Sequence, residues 1–105
     1  MTDKLLVLST TGSEAEAQKI AHVLVERHLA ACVNIIPRIQ SVYRWQGKVE
    51  RSEEYLLLIK TMKAKFDEVQ TAIAELHSYE LPECIAVSIE GGSTEYLKWL
   101  SDSIA

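Results

Sequence analysis

Between Arg38 and Lys60 two β-forming stretches meet at Gln46-Gly47, and this hairpin limits the possible fold more than any other feature. Ile39, Ser41, Tyr43 and Trp45 fall on one side of the first stretch; Arg38, Gln40, Val42 and Arg44 fall on the other. That is the period-two pattern of a strand. Gly47 can supply the positive φ of a tight turn. The return stretch is polar from Lys48 to Glu54 and apolar from Tyr55 to Ile59, so the hairpin should have a solvated tip and a buried base. Its strands are longer than the usual five or six residues, and it is expected to project beyond the domain. Pro37, just before it, cannot donate to a ladder and marks an edge, a bulge or a kink.

Helical patterns flank the hairpin. The apolar run Lys4–Ser9 reads as a strand and is broken at Thr10-Thr11-Gly12. Ser13 and Glu16 then form a capping box, in which each side chain satisfies one exposed amide of the first turn. Ala17, Ile20, Ala21 and Leu24 line one helical face, and the helix is expected to reach His28 or Leu29. After the hairpin, Met62, Phe66, Val69, Ile73 and Leu76 step as a second amphipathic helix, which Leu81-Pro82 prevents from continuing. Cys84–Ile89 reads as a short buried strand. Gly91-Gly92 is a turn, and Ser93 can cap a last helix carrying Tyr96, Leu97, Trp99 and Leu100.

The order βαββαβ plus a helix predicts an α+β fold: a ferredoxin-like sandwich over residues 1–105 with an extra C-terminal helix. The first and third strands, the most apolar, belong at the sheet centre. Two helices cover one face, and the uncovered apolar face points to an oligomer.

Composition excludes several classes. The chain has 105 residues, enough for one domain; 48% are hydrophobic and 25% charged, which argues against disorder. A formal net charge of −4 without a basic stripe argues against nucleic acid. The hairpin strand facing a would-be RNA is aliphatic at Tyr55–Ile59, not aromatic and basic. No apolar run approaches the roughly 20 residues needed to cross a bilayer, and no secretory leader is expected from the Met1-Thr2-Asp3-Lys4 start. Cys32 and Cys84, without close spacing, fit a reducing cytoplasm.

The chemistry-bearing residues are few. Nucleophile-elbow, Walker, HExxH and GxGxxG motifs are missing from the sequence, and a non-enzymatic protein is expected. The metal-ligand types are His22, His28, His77, Cys32 and Cys84, and no pair has chelating spacing. Cys32 and Cys84 read equally as small core residues. His77 closes the second helix, where an imidazole can meet the exposed carbonyls. Glu50, Glu53 and Glu54 read as a solvated edge that resists strand pairing.

Three long segments carry a resemblance. Leu29-Ala30-Ala31-Cys32-Val33-Asn34-Ile35-Ile36-Pro37, Ser41-Val42-Tyr43-Arg44-Trp45-Gln46-Gly47-Lys48 and Leu57-Leu58-Ile59-Lys60-Thr61 resemble the CutA family, the divalent-cation tolerance proteins. His77-Ser78-Tyr79-Glu80-Leu81-Pro82-Glu83 is similar to the family's HPYExPE segment, and Tyr96-Leu97-Lys98-Trp99-Leu100 to its YLxWL tail. The resemblance implies a cytoplasmic homotrimer that binds copper or another divalent metal weakly. Where bacterial members of the family place a first-strand Cys and a His pair, this chain has Ser9 and Leu76-His77, so His77 alone matches; Cys32 matches a recurrent family cysteine. His77 and Cys32 are therefore the candidate metal ligands, and Lys60, Thr61, Tyr79, Glu80 and Glu83 the candidates for an intersubunit ligand cleft. Tyr79 and Glu83 can equally serve the turn at Pro82. Trimeric PII-type signalling proteins share the subunit architecture, so a sensor of a small anionic ligand, using Lys60, is the alternative. A ligand-free trimeric scaffold is the third reading.

Overall fold

The computed structural model describes residues 2–105. Its elements run β1 (Lys4–Thr11), α1 (Glu14–Glu26), β2 (Cys32–Trp45), β3 (Lys48–Met62), α2 (Phe66–Leu76), β4 (Ile85–Ser88) and α3 (Thr94–Ile104). The four strands form one antiparallel sheet in the order β2-β3-β1-β4, which puts the first and third strands at the centre as their apolar sequences require.

Alternation along the central strands sorts the sheet's two faces. Leu5, Val7, Leu57 and Ile59 point to one side and are buried with Ala17, Ile20 and Leu24 of α1 and Val69, Ala72 and Ile73 of α2. Leu6, Leu8, Leu56, Leu58 and Lys60 alternate to the opposite side, where the amine of Lys60 lies 3.4 Å from the Tyr96 hydroxyl of α3. Helix α3 thus rests against one end of this second face and buries Leu100 and Ile104. The rest of the face stays open in the single chain: Ile36 is 41% exposed, Ile85 52% and Val87 48%. The expected buried strand at Cys84–Ile89 is corrected accordingly. Only Cys84 packs against the core, whereas all of β4 is exposed, because it is an edge strand paired on one side only.

Local chemistry explains where the elements stop. Ser13 caps α1 by accepting the Glu16 N–H at 3.2 Å. The helix ends at Glu26, short of the expected His28, because His28 turns left-handed at φ 60° and the Leu29 and Ala30 N–H groups fold back on Leu24 O. Met62 ends β3 instead of opening α2; a short 3₁₀ turn over Lys63–Lys65 lies between. Ser93 caps α3 by accepting the Tyr96 N–H.

The hairpin is an arm. β1 pairs with β3 only from Tyr55 onward, so Ile39–Trp45 and Lys48–Glu54 continue as a two-stranded ribbon. At about 3.3 Å per residue this ribbon is roughly 23 Å long, and the molecule extends 44 Å along its longest axis. Gln46 (φ 50°) and Gly47 (φ 79°) both take positive φ, the type I′ turn whose twist matches a hairpin. Where the arm leaves the sheet, Pro37 and Arg38 sit opposite Tyr55 as a bulge, with Arg38 at φ 56°. A bulge is where a residue without an N–H belongs.

Candidate functional site

The segment after α2 returns along the base of the arm and places its side chains against β1, α1 and β3. His77 comes first, and its backbone N–H caps α2 on Ile73 O as a helix-ending residue should. Its ring does not stay with the helix carbonyls. The buried imidazole puts Nε2 2.6 Å from Thr10 O, so Nε2–H donates to that carbonyl. Nδ1 lies 3.0 Å from the Tyr79 N–H and 3.0 Å from Glu16 Oε1. Both ring nitrogens are thus engaged within the chain.

Glu16 shows why. In the expected capping box its carboxylate would turn back to the Ser13 N–H. Instead Oε1 accepts the Ser78 N–H at 2.9 Å and lies beside His77. Burial opposes the Glu16 charge, but the Ser78 hydrogen bonds, and then the neighbouring His77 and Lys19, outweigh it and hold the carboxyl below its ordinary range. Half of the capping box is spent on fixing the loop after α2.

Tyr79 is the next anchor. Its ring stacks at a tilt on His77 with centroids 4.6 Å apart, and its hydroxyl donates to Glu54 Oε2 at 2.7 Å. Burial, and then this bond to Glu54, push the Tyr79 phenol well up. Gly12 makes room for it, since a Cβ there would come within 3.0 Å of the Tyr79 hydroxyl. Glu54 is only 7% exposed, so the acidic stretch is not uniformly a solvated edge: Glu50 and Glu53 are exposed, Glu54 is not. Glu80 and Glu83 line, with Tyr79 and Glu54, a groove between the arm and this segment, and burial together with the Glu54 charge raises the Glu83 carboxyl above its ordinary range.

The remaining candidates lie elsewhere. Thr61 is buried and donates to Leu29 O at 2.6 Å, a structural tie between β3 and the loop after α1. Lys60 stands 5.7 Å over the Tyr96 ring. Cys32 pairs across the ladder with Lys60, and its Sγ has only a long 3.8 Å contact to Asn34 Oδ1. Thr10, which holds His77, is in register with Leu56, so the two groups of candidates are separated along β3 by about 13 Å. The structure therefore brings together His77, Tyr79, Glu80 and Glu83, adds Glu54 and Glu16, and leaves Cys32, Lys60 and Thr61 apart. His77 and Cys32 do not share a metal within one chain. Among the described residues no three His, Cys, Asp or Glu side chains converge to hold an ion.

Comparison with known proteins settles the relationship. The model of the CutA1 divalent ion tolerance protein family matches residues 5–103. The chain belongs to the CutA family. It is 47% identical over 98 residues to the divalent-cation tolerance protein CutA of Thermus thermophilus, covering 93% of this chain and 95% of that protein. It is 42% identical to a chloroplastic CutA protein of Arabidopsis thaliana, where it spans 54% of the relative's length. A crystal structure of CutA from Xylella fastidiosa superposes with a TM-score of 0.97 at 43% identity, over 99% of this chain and all of that one. The α+β architecture is thus a CutA fold, with four antiparallel strands and three helices. No helix among the described residues is long and apolar enough to cross a membrane.

Proposed function

We propose that this CutA-family chain is a non-enzymatic, cytoplasmic homotrimer that contributes to divalent-cation tolerance by binding copper or a similar divalent ion between subunits. The family match over residues 5–103 carries this reading. The open sheet face supports self-association through a ferredoxin-like subunit: Ile36, Ile85 and Val87 are too exposed for a chain that works alone. The donor chemistry supports Cys32 over His77 as the ligand. His77 can ligate only after giving up the Thr10 carbonyl or the Tyr79 amide, whereas the Cys32 thiol has no strong bond to lose. A threefold supplies three copies of Cys32, and thiolate suits a soft ion. Two free cysteines fit a reducing compartment.

Native mass spectrometry before and after copper and zinc addition tests this. The expected species has three times 11.8 kDa and takes up a whole number of ions, lost in Cys32→Ser and kept in His77→Ala. The converse pattern moves the ion to His77. A trimer that takes up no defined number of ions ends the metal reading, and a monomer ends the assembly.

A further inference from the structure

Glu54 carries a charge that its own chain does not balance. It lines the groove at the root of the arm and is only 7% exposed. A carboxylate buried this deeply ordinarily has a cationic partner. The Tyr79 hydroxyl on Oε2 is its one side-chain hydrogen bond among the described residues, and it makes no ion pair with any of them. Glu80 and Glu83 line the same groove, and no described lysine, arginine or histidine does.

Strand geometry keeps the arm's own cations away from it. Arg51 stands an odd number of positions from Glu54 on β3, so its side chain lies on the other side of the ribbon. Arg44 pairs with Val49 and lies on that other side too. Lys48 shares the side of Glu54 but stands about 20 Å further along the strand. Arg38, in the bulge, neither lines the groove nor pairs with Glu54.

Arg44 and Arg51 are equally without a counter-charge. Val42 pairs with Arg51 and Arg44 with Val49, so the two arginines are diagonal neighbours on one side of the arm. Neither makes an ion pair with a described residue, and the two valines beside them are 60% and 67% exposed. The projecting ribbon thus presents an unpaired basic and apolar surface to whatever stands next to the molecule.

The groove adjoins the open sheet face. Glu54 continues the side of β3 that carries Leu56 and Leu58, and Thr10, in register with Leu56, lines the groove with it. Self-association through that face buries Glu54 further, and a charge taken deeper without a partner is costly. The neighbouring copy has to bring the cation. A ring of three joins two different surfaces at each contact, so the basic side of one arm can meet the acidic groove of the next chain. A guanidinium also matches a carboxylate in shape, with two parallel donors.

We infer that Arg44 and Arg51 on the arm of one chain enter the groove of the next and neutralise Glu54 there, so that each groove is completed by its neighbour. The inference rests on the trimer reading above and deepens it by naming the contact; it uses neither Cys32 nor His77.

The test is a double-mutant cycle on assembly of the full chain, followed by native mass spectrometry and sedimentation over a dilution series with a chelator present. Arg44→Gln, Arg51→Gln and Glu54→Gln should each weaken the trimer about tenfold. Glu54→Gln combined with either arginine variant should weaken it little more than one change alone, because the pair is already lost. Losses that multiply for both arginines overturn the inference, as does a trimer that neither arginine variant weakens; both leave the trimer itself standing. A monomeric wild type ends the trimer reading and the inference with it. Arg51→Lys serves if Glu54→Gln fails to fold. A carbodiimide should then join position 51 of one chain to a groove carboxylate of another in a mixture of nitrogen-labelled and unlabelled chains, and links found only within a chain would overturn the inference.

Discussion

The Tyr79 hydroxyl donates to Glu54 Oε2 at 2.7 Å, and this bond ties the segment after α2 to the base of the projecting arm. A two-stranded ribbon is marginal by itself, so its base needs such an anchor. Tyr79→Phe removes the donor and leaves a buried carboxylate poorly satisfied. The expected loss is about 1–3 kcal/mol in chemical denaturation. Glu54→Gln, which keeps an acceptor and sheds the charge, should lose less than that. Equal losses in the two variants would mean that the bond is incidental to the arm.

Glu16 makes stability depend on acid. Its folded carboxyl titrates below the ordinary range despite burial, because Ser78 and then His77 favour the charged form. A depressed acid contributes stability above its unfolded pKa and loses it as pH falls through the folded value. Glu16→Ala should therefore cost about 1–2 kcal/mol at neutral pH. The gap from the wild type should close as pH drops below the ordinary glutamate range. Denaturant melts at several pH values measure it; a gap that stays constant would show that only packing is lost.

Ser9 should be dispensable. It is wholly buried on the core side of β1, and its Oγ has no hydrogen-bond partner among the described residues. An unpaired buried hydroxyl keeps its desolvation cost with no return. Ser9→Ala should stabilise by about 1 kcal/mol, read as a raised midpoint at unchanged denaturant slope. Destabilisation of similar size would mean that the hydroxyl is satisfied in solution.

Features with local causes were readable from the sequence. The Gln46-Gly47 turn, the irregularity at Pro37 and the caps at Ser13 and Ser93 follow from backbone chemistry within a few residues, and the structure has each of them. The periodic helix and strand faces were legible for the same reason. The site was less so. Glu54 closes a polar stretch and reads as solvated, and only the approach of Tyr79 from across the fold buries it. Glu16 fits a capping box by spacing, yet Ser78 and His77 claim its carboxylate. Lys60 and Tyr79 both belong to family-like segments, but strand register sets them at opposite ends of the sheet. Long-range register is not a property of any short window.

Glu83 supplies the opposite pH sign from Glu16. Burial, and then the Glu54 charge, raise its carboxyl in the folded protein. Folding therefore favours the neutral acid. The wild type should be most stable at acid pH with respect to this group and lose that contribution as pH rises from the ordinary glutamate pKa, about 4.3, through the raised folded value. Glu83→Gln cannot ionise. Its melting temperature should exceed the wild type's at neutral pH, with the difference vanishing below the ordinary range. Paired melts at acid and neutral pH read the effect. A variant no more stable than the wild type at neutral pH would show that the two carboxylates do not strain one another.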